Sequence, residues 1–274
     1  MKPSAIFAGT VAAILLTASA CNRADEKTSD NSVLSFSKYE KVGYYKLLGS
    51  AKAYETDSDA IFQGKTNLLL PSEIYGHDTA VLRDSIFKAA FDTTGTETDS
   101  IAEAAMRRAA SEAGFELLPT ECSDTISYDG IYIVDGELRD VSSRTLSYAV
   151  TESTYLPLSA HGMYSTVYIN YDLREGRVFT LADIFTADAM SKLPVLLRQS
   201  AWRMRNFIGP TDLTALPSGG NFYIDLSGNI VFVYQPYEIA SYAQGIIEIP
   251  VPAYQLSDDL TPYGTDVLLG GALQ

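Results

Sequence analysis

The stretch from Met163 to Phe185, MYSTVYINYDLREGRVFTLADIF, decides the fold class. Its first eleven residues alternate between two faces. One face carries Val167, Ile169, Tyr171 and Leu173, and the other carries Tyr164, Thr166, Tyr168 and Asn170. This period of two, with one apolar face, predicts a strand of an antiparallel sheet. Glu175-Gly176 predicts a turn into a short strand, Arg177 to Phe179, and Thr180 to Asp183 predicts a capped helical turn.

Upstream of this stretch the sequence predicts both strands and helices. Apolar residues at three- and four-residue steps after Asp78 predict a helix that ends near Phe91. A second helix, Ile101 to Ala113, is predicted from the capping residues before it and from Gly114 after it. Asp135-Gly136 predicts a hairpin turn. The predicted strands are Val33 to Tyr54, Asn67 to Ile74, Thr125 to Val134 and Leu146 to Leu156.

Downstream, a helix is predicted from about Leu193 to Phe207, with Pro194 in its first turn. Its expected core stripe is Leu196, Leu197 and Trp202. Ser227-Gly228-Asn229 joins a predicted hairpin, Asn221 to Leu226 with Ile230 to Tyr234, and Ile246 to Val251 is the last predicted strand. Hairpins among irregularly placed helices predict an α+β fold, with helices packed on an antiparallel sheet. We expect two packed subdomains, residues 33–124 and 125–274.

The N-terminus predicts export. Residues 1–20 have one charge, Lys2, and an apolar run, Ile6 to Leu16, that is too short to span a bilayer. Small residues precede Cys21, in a pattern that resembles the bacterial lipobox. We therefore expect a signal peptide over residues 1–20, lipidation such as palmitate at Cys21, and a polar, flexible tether over residues 21–32. The expected location is the cell envelope, anchored to the outer membrane; an ordinary secretory signal is the alternative.

Composition restricts the partners. The chain has 20 Lys and Arg against 34 Asp and Glu, a net charge of −14 that becomes −15 when Lys2 leaves with the signal. This balance argues against nucleic acid and favours a cationic partner. Two His and one spare thiol, Cys122, argue against zinc, and no calcium-binding run is present in the sequence. We expect no cofactor and no metal, and we interpret Cys122 as a small buried apolar residue.

Three segments carry a family resemblance. They are Tyr168 to Phe185, Phe222 to Gly245 with its run QPYEIASYAQG, and Ser159-Ala-His-Gly162. They resemble an extracellular family that includes the C-terminal sensor region of the anti-sigma factor RsiV and a non-catalytic region of the peptidoglycan deacetylase PdaC. The resemblance implies a ligand-binding or sensor domain, with a basic muramidase such as lysozyme, or peptidoglycan, as its partner.

The candidate ligand-binding residues are His161, Pro236, Tyr237, Glu238 and Tyr242. The tyrosines either form a contact surface or pack their loop onto the sheet, with Glu238 bonded to backbone donors. His161 either binds ligand or bonds a loop carbonyl. The sequence shows no G-x-S-x-G and no H-E-x-x-H, so we expect no catalytic residue and no enzymatic activity. The alternatives are a cell-wall hydrolase or esterase that uses His161, and a structural subunit of an envelope complex.

Overall fold

The computed structural model describes residues 14–16, 33–49, 61–112, 114–120, 129–157, 159–204 and 213–270. Helices and strands are mixed along these ranges. The strands are β1 (Ile14–Leu16), β2 (Leu34–Gly49), β3 (Ile61–Ile74), β4 (Phe115–Pro119), β5 (Gly130–Val141), β6 (Thr145–Tyr155), β7 (Met163–Asp172), β8 (Arg177–Phe179), β9 (Phe222–Ile224), β10 (Asn229–Tyr234) and β11 (Ile247–Pro252). The helices are α1 (Ala80–Phe91), α2 (Thr98–Glu112), α3 (Leu181–Ile184), α4 (Ala187–Arg203) and α5 (Pro262–Leu269).

The strands form a large sheet and a small sheet. The large sheet has the order β1-β2-β3-β5-β6-β7-β8, with β4 paired to β2. Its pairs are antiparallel except β3 with β5, which run parallel. The small sheet has the order β11-β10-β9 and is antiparallel throughout. The predicted α+β class with an antiparallel sheet and packed helices is confirmed.

Two hydrophobic cores lie on either side of the β7–β8 turn. The first packs α1 and α2 on the large sheet and runs in sequence from Leu34 to Leu173. The second packs the small sheet with α3, α4 and α5 and runs from Phe179 to Val267. The predicted boundary at residue 124 lies outside the described residues and stays a prediction. Strands from both sides of that boundary nevertheless share the large sheet.

The small sheet packs against the middle of β7. Tyr223, Val231 and Val233 are buried there and contact Tyr168 of β7. Asn170 donates a 2.8 Å hydrogen bond from Nδ2 to the Phe222 carbonyl, and Ser147 bonds the Ile224 backbone. Because these polar groups are buried and paired, they fix how the two cores meet.

Two sequence predictions of turns and helices are wrong. β5 continues straight through Asp135 and Gly136, where Gly136 packs under the Tyr148 ring, and its turn comes at residues 142–144. The helix predicted from Leu193 begins at Ala187, because the side chain of Thr186 caps it by accepting from the Ala189 N–H at 3.2 Å. Pro194 therefore lies inside the helix rather than in its first turn.

The predicted core stripe of α4 is also partly wrong. Leu197 is buried, but Trp202 is 61% exposed and its ring lies under the Arg198 guanidinium. By contrast, the capping box predicted at Thr180 is present, with Asp183 accepting from the Thr180 N–H at 2.7 Å. β4 and α5 were not predicted: β4 is a short edge strand, and the sequence of α5 contains glycine and proline.

Cys21, the tether and Cys122 lie outside the described residues. β1 falls inside the predicted signal segment and pairs with Leu34 to Phe36 of β2. In the described part of the chain, no helix combines the length and the apolar character that crossing a membrane requires.

Candidate binding site

The structure brings four rings together at the start of β7. His161 stacks on Tyr242, with ring centroids 3.9 Å apart and planes 19° apart. Tyr237 lies 5.7 Å from Tyr242, and Tyr164 meets the edge of Tyr242 at 5.8 Å. We call His161, Tyr164, Tyr237 and Tyr242 the aromatic cluster. It joins the loop before β7 to the loop after β10, which are more than seventy residues apart in sequence.

Both nitrogens of His161 have partners. Nδ1 lies 2.8 Å from the Gly162 carbonyl, which can only accept, so Nδ1 carries a proton. Nε2 lies 2.9 Å from the Tyr237 hydroxyl. With the proton on Nδ1, the unprotonated Nε2 accepts a hydrogen bond from that hydroxyl.

Glu238 shapes the loop that presents Tyr237. Its Oε1 accepts from the Ser218 N–H at 2.5 Å, and its Oε2 accepts from the Gln235 N–H at 2.7 Å. Pro236 is buried at the start of the same turn. Both carboxylate oxygens of Glu238 therefore accept hydrogen bonds from backbone N–H groups within the protein.

Tyr237 has a strained backbone and an exposed ring. Its φ is +69°, one of three positive values among the described non-glycine residues. For a tyrosine this left-handed conformation costs about 1–3 kcal/mol and persists only where the surroundings impose it. The side chain is 56% exposed. Exposure and strain together present the ring to solvent beside His161.

Tyr234 anchors the neighbouring segment from inside the second core. Its hydroxyl donates a 2.7 Å hydrogen bond to the Ala215 carbonyl. Burial, and then the negative charge of Glu238, raise the pKa of Tyr234, so the hydroxyl keeps its proton. The chain before Ser218 is thereby held next to the loop that carries Tyr237.

Sequence reasoning missed two amide side chains that complete this region. Asn221 accepts from the Tyr168 N–H at 2.9 Å and donates to the Thr166 carbonyl at 2.8 Å. Gln235 accepts from the Thr166 N–H at 2.9 Å and donates to the same carbonyl at 2.8 Å. These two amides take the place of a neighbouring strand along β7, beyond the reach of β8. The sequence predicts that these two amides lie beside strand ends, but it does not predict their hydrogen-bond partners on β7.

The opposite end of β7 holds a buried charge. The Asp172 carboxylate is fully buried and accepts from Arg144 at 2.8 Å, from the Tyr263 hydroxyl at 3.1 Å, and from the Arg174 and Glu175 N–H groups at 2.9 and 3.0 Å. Burial alone would raise the pKa of Asp172, but these hydrogen bonds outweigh burial and hold the pKa below its usual value of 3.8.

This charged network connects elements of the fold to one another. Arg144 also bonds Asp266 of α5 at 3.0 Å, and Arg174 pairs with the same carboxylate. The network therefore links the end of β7 to α5. His77 is partly buried, and its Nε2 lies 3.1 Å from the Leu173 carbonyl. Across the residues with described positions, no three His, Cys, Asp or Glu side chains are grouped as metal ligands.

Residues 182–254, from α3 to just beyond β11, match a family model described as "Protein of unknown function (DUF3298)". The match contains Tyr237 and Tyr242 but not His161. None of the curated proteins matches the chain.

Two solved structures share the fold. A DUF3298 family member from Bacteroides fragilis NCTC 9343 superposes with a TM-score of 0.66 at 20% identity, covering 88% of this chain and all of that one. A DUF3298 family protein from Pseudomonas aeruginosa PAO1 gives a TM-score of 0.54 at 15% identity, covering 82% of this chain and 94% of that one. The chain thus has the fold of these two DUF3298 proteins, and its residues 182–254 carry the sequence match to this family of unknown function.

Proposed function

We propose that this chain is an envelope-anchored lipoprotein whose folded domain binds a ligand without chemically converting it. The observation that carries the proposal is the aromatic cluster, because it presents Tyr237 on a strained backbone at the surface. An exposed tyrosine beside a histidine supplies the kind of rigid aromatic contact that dominates many binding surfaces. The cluster lies partly within the stretch that matches DUF3298.

The proposed ligand is a basic muramidase of the lysozyme type, or the peptidoglycan on which such enzymes act. A net charge of −14, or −15 after signal cleavage, speeds the approach of a cationic protein. The resemblance of Phe222 to Gly245 to the RsiV sensor region points to the same partner. Both arguments support binding, and neither requires a catalytic residue.

Binding can be tested with the chain lacking residues 1–20 and carrying Cys21→Ser, titrated separately with lysozyme and with soluble peptidoglycan fragments. If a basic protein is the ligand, affinity falls as ionic strength rises from about 0.01 to 0.15 M, because the Debye length shortens from about 30 to about 8 Å. Tyr237→Ala should weaken binding about tenfold or more, as expected of an aromatic anchor. The matched control is Tyr254→Ala, since Tyr254 is 69% exposed outside the cluster. Lack of binding to both ligands at low salt contradicts the specific proposal.

Membrane anchoring is tested separately in cells. We expect the wild-type chain to incorporate labelled palmitate and to sediment with membranes, and Cys21→Ser to lose both properties. A wild-type chain that keeps residues 1–20 and stays in the soluble cytosolic fraction contradicts the anchor, but it leaves the binding result intact.

The hydrolase alternative that uses His161 has weaker geometric support. Both ring nitrogens are bonded, to Gly162 and to Tyr237, and none of the described carboxylates lies within hydrogen-bond distance of the ring. General acid–base work needs a nitrogen that is free to reach substrate, often oriented by a third group. Equal hydrolysis of glycan and ester substrates by wild type and His161→Ala would exclude this alternative. The third candidate, a structural subunit of an envelope complex, predicts a stoichiometric partner in a pull-down.

A further inference from the structure

A second concave surface lies where the two cores meet. It is a cleft of about 650 Å³, which is within the size range of small-molecule sites. One wall is β7 and β8 with Ser85 of α1, and the facing wall is Leu216 to Phe222 with Met190 of α4. The cleft exists because β8 pairs only with residues 170–172, so the edge of β7 that faces away from β6 has no strand beside its earlier part.

The cleft is uncharged. Lys, Arg, Asp and Glu make up 20% of the sequence, yet the nineteen described residues that line the cleft include none of them. Apolar groups form most of its surface, and they include the aliphatic side chains of Val167, Ile169, Leu181 and Leu216. A charged ligand would lose its hydration here without gaining a counter-charge, so the lining selects an uncharged ligand.

The backbone along the cleft excludes an extended peptide. A bound peptide strand needs partners for its own N–H and C=O groups, and a free sheet edge normally supplies them. Here the Thr166 N–H and C=O and the Tyr168 N–H are already bonded to the Asn221 and Gln235 side chains. A sugar would likewise need many polar partners. A hydrocarbon chain needs none, and it fits aliphatic walls.

The rim offers a small number of hydroxyls. Ser165 and Ser218 are exposed at the cleft, and their hydroxyls have no hydrogen-bond partner among the described residues. Gly219 and Gly220, both with positive φ, add no side chains beside them. Hydroxyls at the rim can bond a neutral polar head while its chain lies between the walls.

We propose that this cleft binds a single hydrocarbon chain that carries an uncharged polar head, as in a monoacylglycerol. This goes beyond the proposed function and occupies a different surface from the aromatic cluster. Met190 suits such a ligand, because its flexible thioether side chain adapts to an irregular apolar shape.

The test compares three amphiphiles of one chain length: monodecanoylglycerol, decanoate and decyltrimethylammonium, each below its critical micelle concentration. Calorimetric titration of the chain lacking residues 1–20 with Cys21→Ser should give saturable binding for the neutral compound, about tenfold or more tighter than for either ion. Val167→Glu should weaken neutral binding by about tenfold or more. Val42→Glu is the control, since Val42 on β2 is 41% exposed and Val167 is 44% exposed.

A diazirine analogue of the neutral compound provides a readout that does not depend on any variant. Its crosslinks should map by mass spectrometry to residues 165–169 and 216–222, and excess monodecanoylglycerol should suppress them. Absence of saturable binding, equal affinity for the three head groups, or crosslinks spread over the whole surface overturns the proposal. Tyr237→Ala leaves the cleft lining unchanged, so failure of the aromatic cluster to bind its ligand is separable from failure of the cleft.

Discussion

At its C-terminal end β7 buries the Asp172 carboxylate within a network of hydrogen bonds, whereas at its N-terminal end it carries exposed side chains. Asp172 is inaccessible and accepts four hydrogen bonds. Nine residues earlier, Met163 is 47% exposed, and the neighbouring Tyr164 joins the aromatic cluster. One strand therefore serves as a structural anchor at one end and as part of a candidate binding surface at the other.

The difference comes from what covers each end. β8, α5 and the Arg144 side chain close over Asp172. In the middle, Asn221 and Gln235 occupy the strand edge. At the start, the loop containing Tyr237 and Tyr242 contacts β7 through rings rather than through backbone. Substitutions at the C-terminal end should therefore lower the unfolding free energy most. Substitutions at the N-terminal end should lower it least and should lower the ligand affinity most.

Asp172→Asn should have the largest effect on stability. It removes a buried charge on which Arg144 and two backbone N–H groups converge, and we expect a loss of about 3–5 kcal/mol in unfolding free energy. Urea denaturation measures the loss. Asp266→Asn is the control, because that carboxylate is partly exposed although it also bonds Arg144, and it should cost no more than about 1 kcal/mol. Equal losses for the two variants would mean that burial does not distinguish the ends of β7.

Asp172 also predicts a pH dependence. Since its pKa is lowered in the folded state, its contribution is complete above the unfolded value of 3.8 and is lost as the pH falls through the folded pKa. The wild-type chain should therefore lose stability below about pH 4, and Asp172→Asn should show a shallower loss over that range. Parallel curves for the two proteins would assign the acid sensitivity to other carboxylates.

Asn221→Ala should have the next largest effect, at the middle of β7. It leaves the Tyr168 N–H without its partner in a buried setting, at a cost of about 1–3 kcal/mol. It also opens part of the strand edge, so the variant should aggregate more readily on heating. Thermal unfolding with light scattering detects both changes. An unaltered melting temperature and unaltered scattering would show that Asn221 does not seal the edge.

Glu238→Gln tests the loop that presents Tyr237. An amide can accept through only one of its two terminal atoms, so the N–H of either Ser218 or Gln235 loses its acceptor. We expect a moderate loss of about 1–2 kcal/mol in stability. Ligand affinity should fall as well, because the turn that strains Tyr237 is loosened. Unchanged affinity at reduced stability would separate the loop from the binding surface.

The sequence predicts those features that depend on local patterning. The alternation from Tyr164 to Leu173 predicted β7, and Thr180 with Asp183 predicted the capping box, because both depend on neighbours within a few residues. The hairpin turn predicted at Asp135-Gly136 was wrong, because Gly136 lies beneath Tyr148 within a continuous strand and this packing depends on a residue distant in sequence. The prediction that Trp202 is buried was wrong, because the helical period alone does not determine which face a helix buries.

Only part of the candidate site was predicted, because its long-range contacts are not visible in the sequence. His161, Tyr237 and Tyr242 were selected through the resemblance, and the structure places them in contact. Tyr164 was assigned only to a strand face, and the roles of Asn221 and Gln235 were missed. Their partners lie more than fifty residues away, and a single sequence does not show which backbone groups on β7 lack a neighbouring strand.

Tyr237→Phe should have the smallest effect on stability and gives the sharpest test of the exposed end. It deletes only the hydroxyl that bonds His161 Nε2 at a solvent-exposed position, so unfolding free energy should change by no more than about 0.5 kcal/mol. If the hydroxyl orients both rings for ligand, affinity falls although the aromatic ring is retained. Affinity equal to wild type would mean that the ring surface alone makes the contact. A large loss of stability would instead show that this end of β7 is structural, as the Asp172 end is.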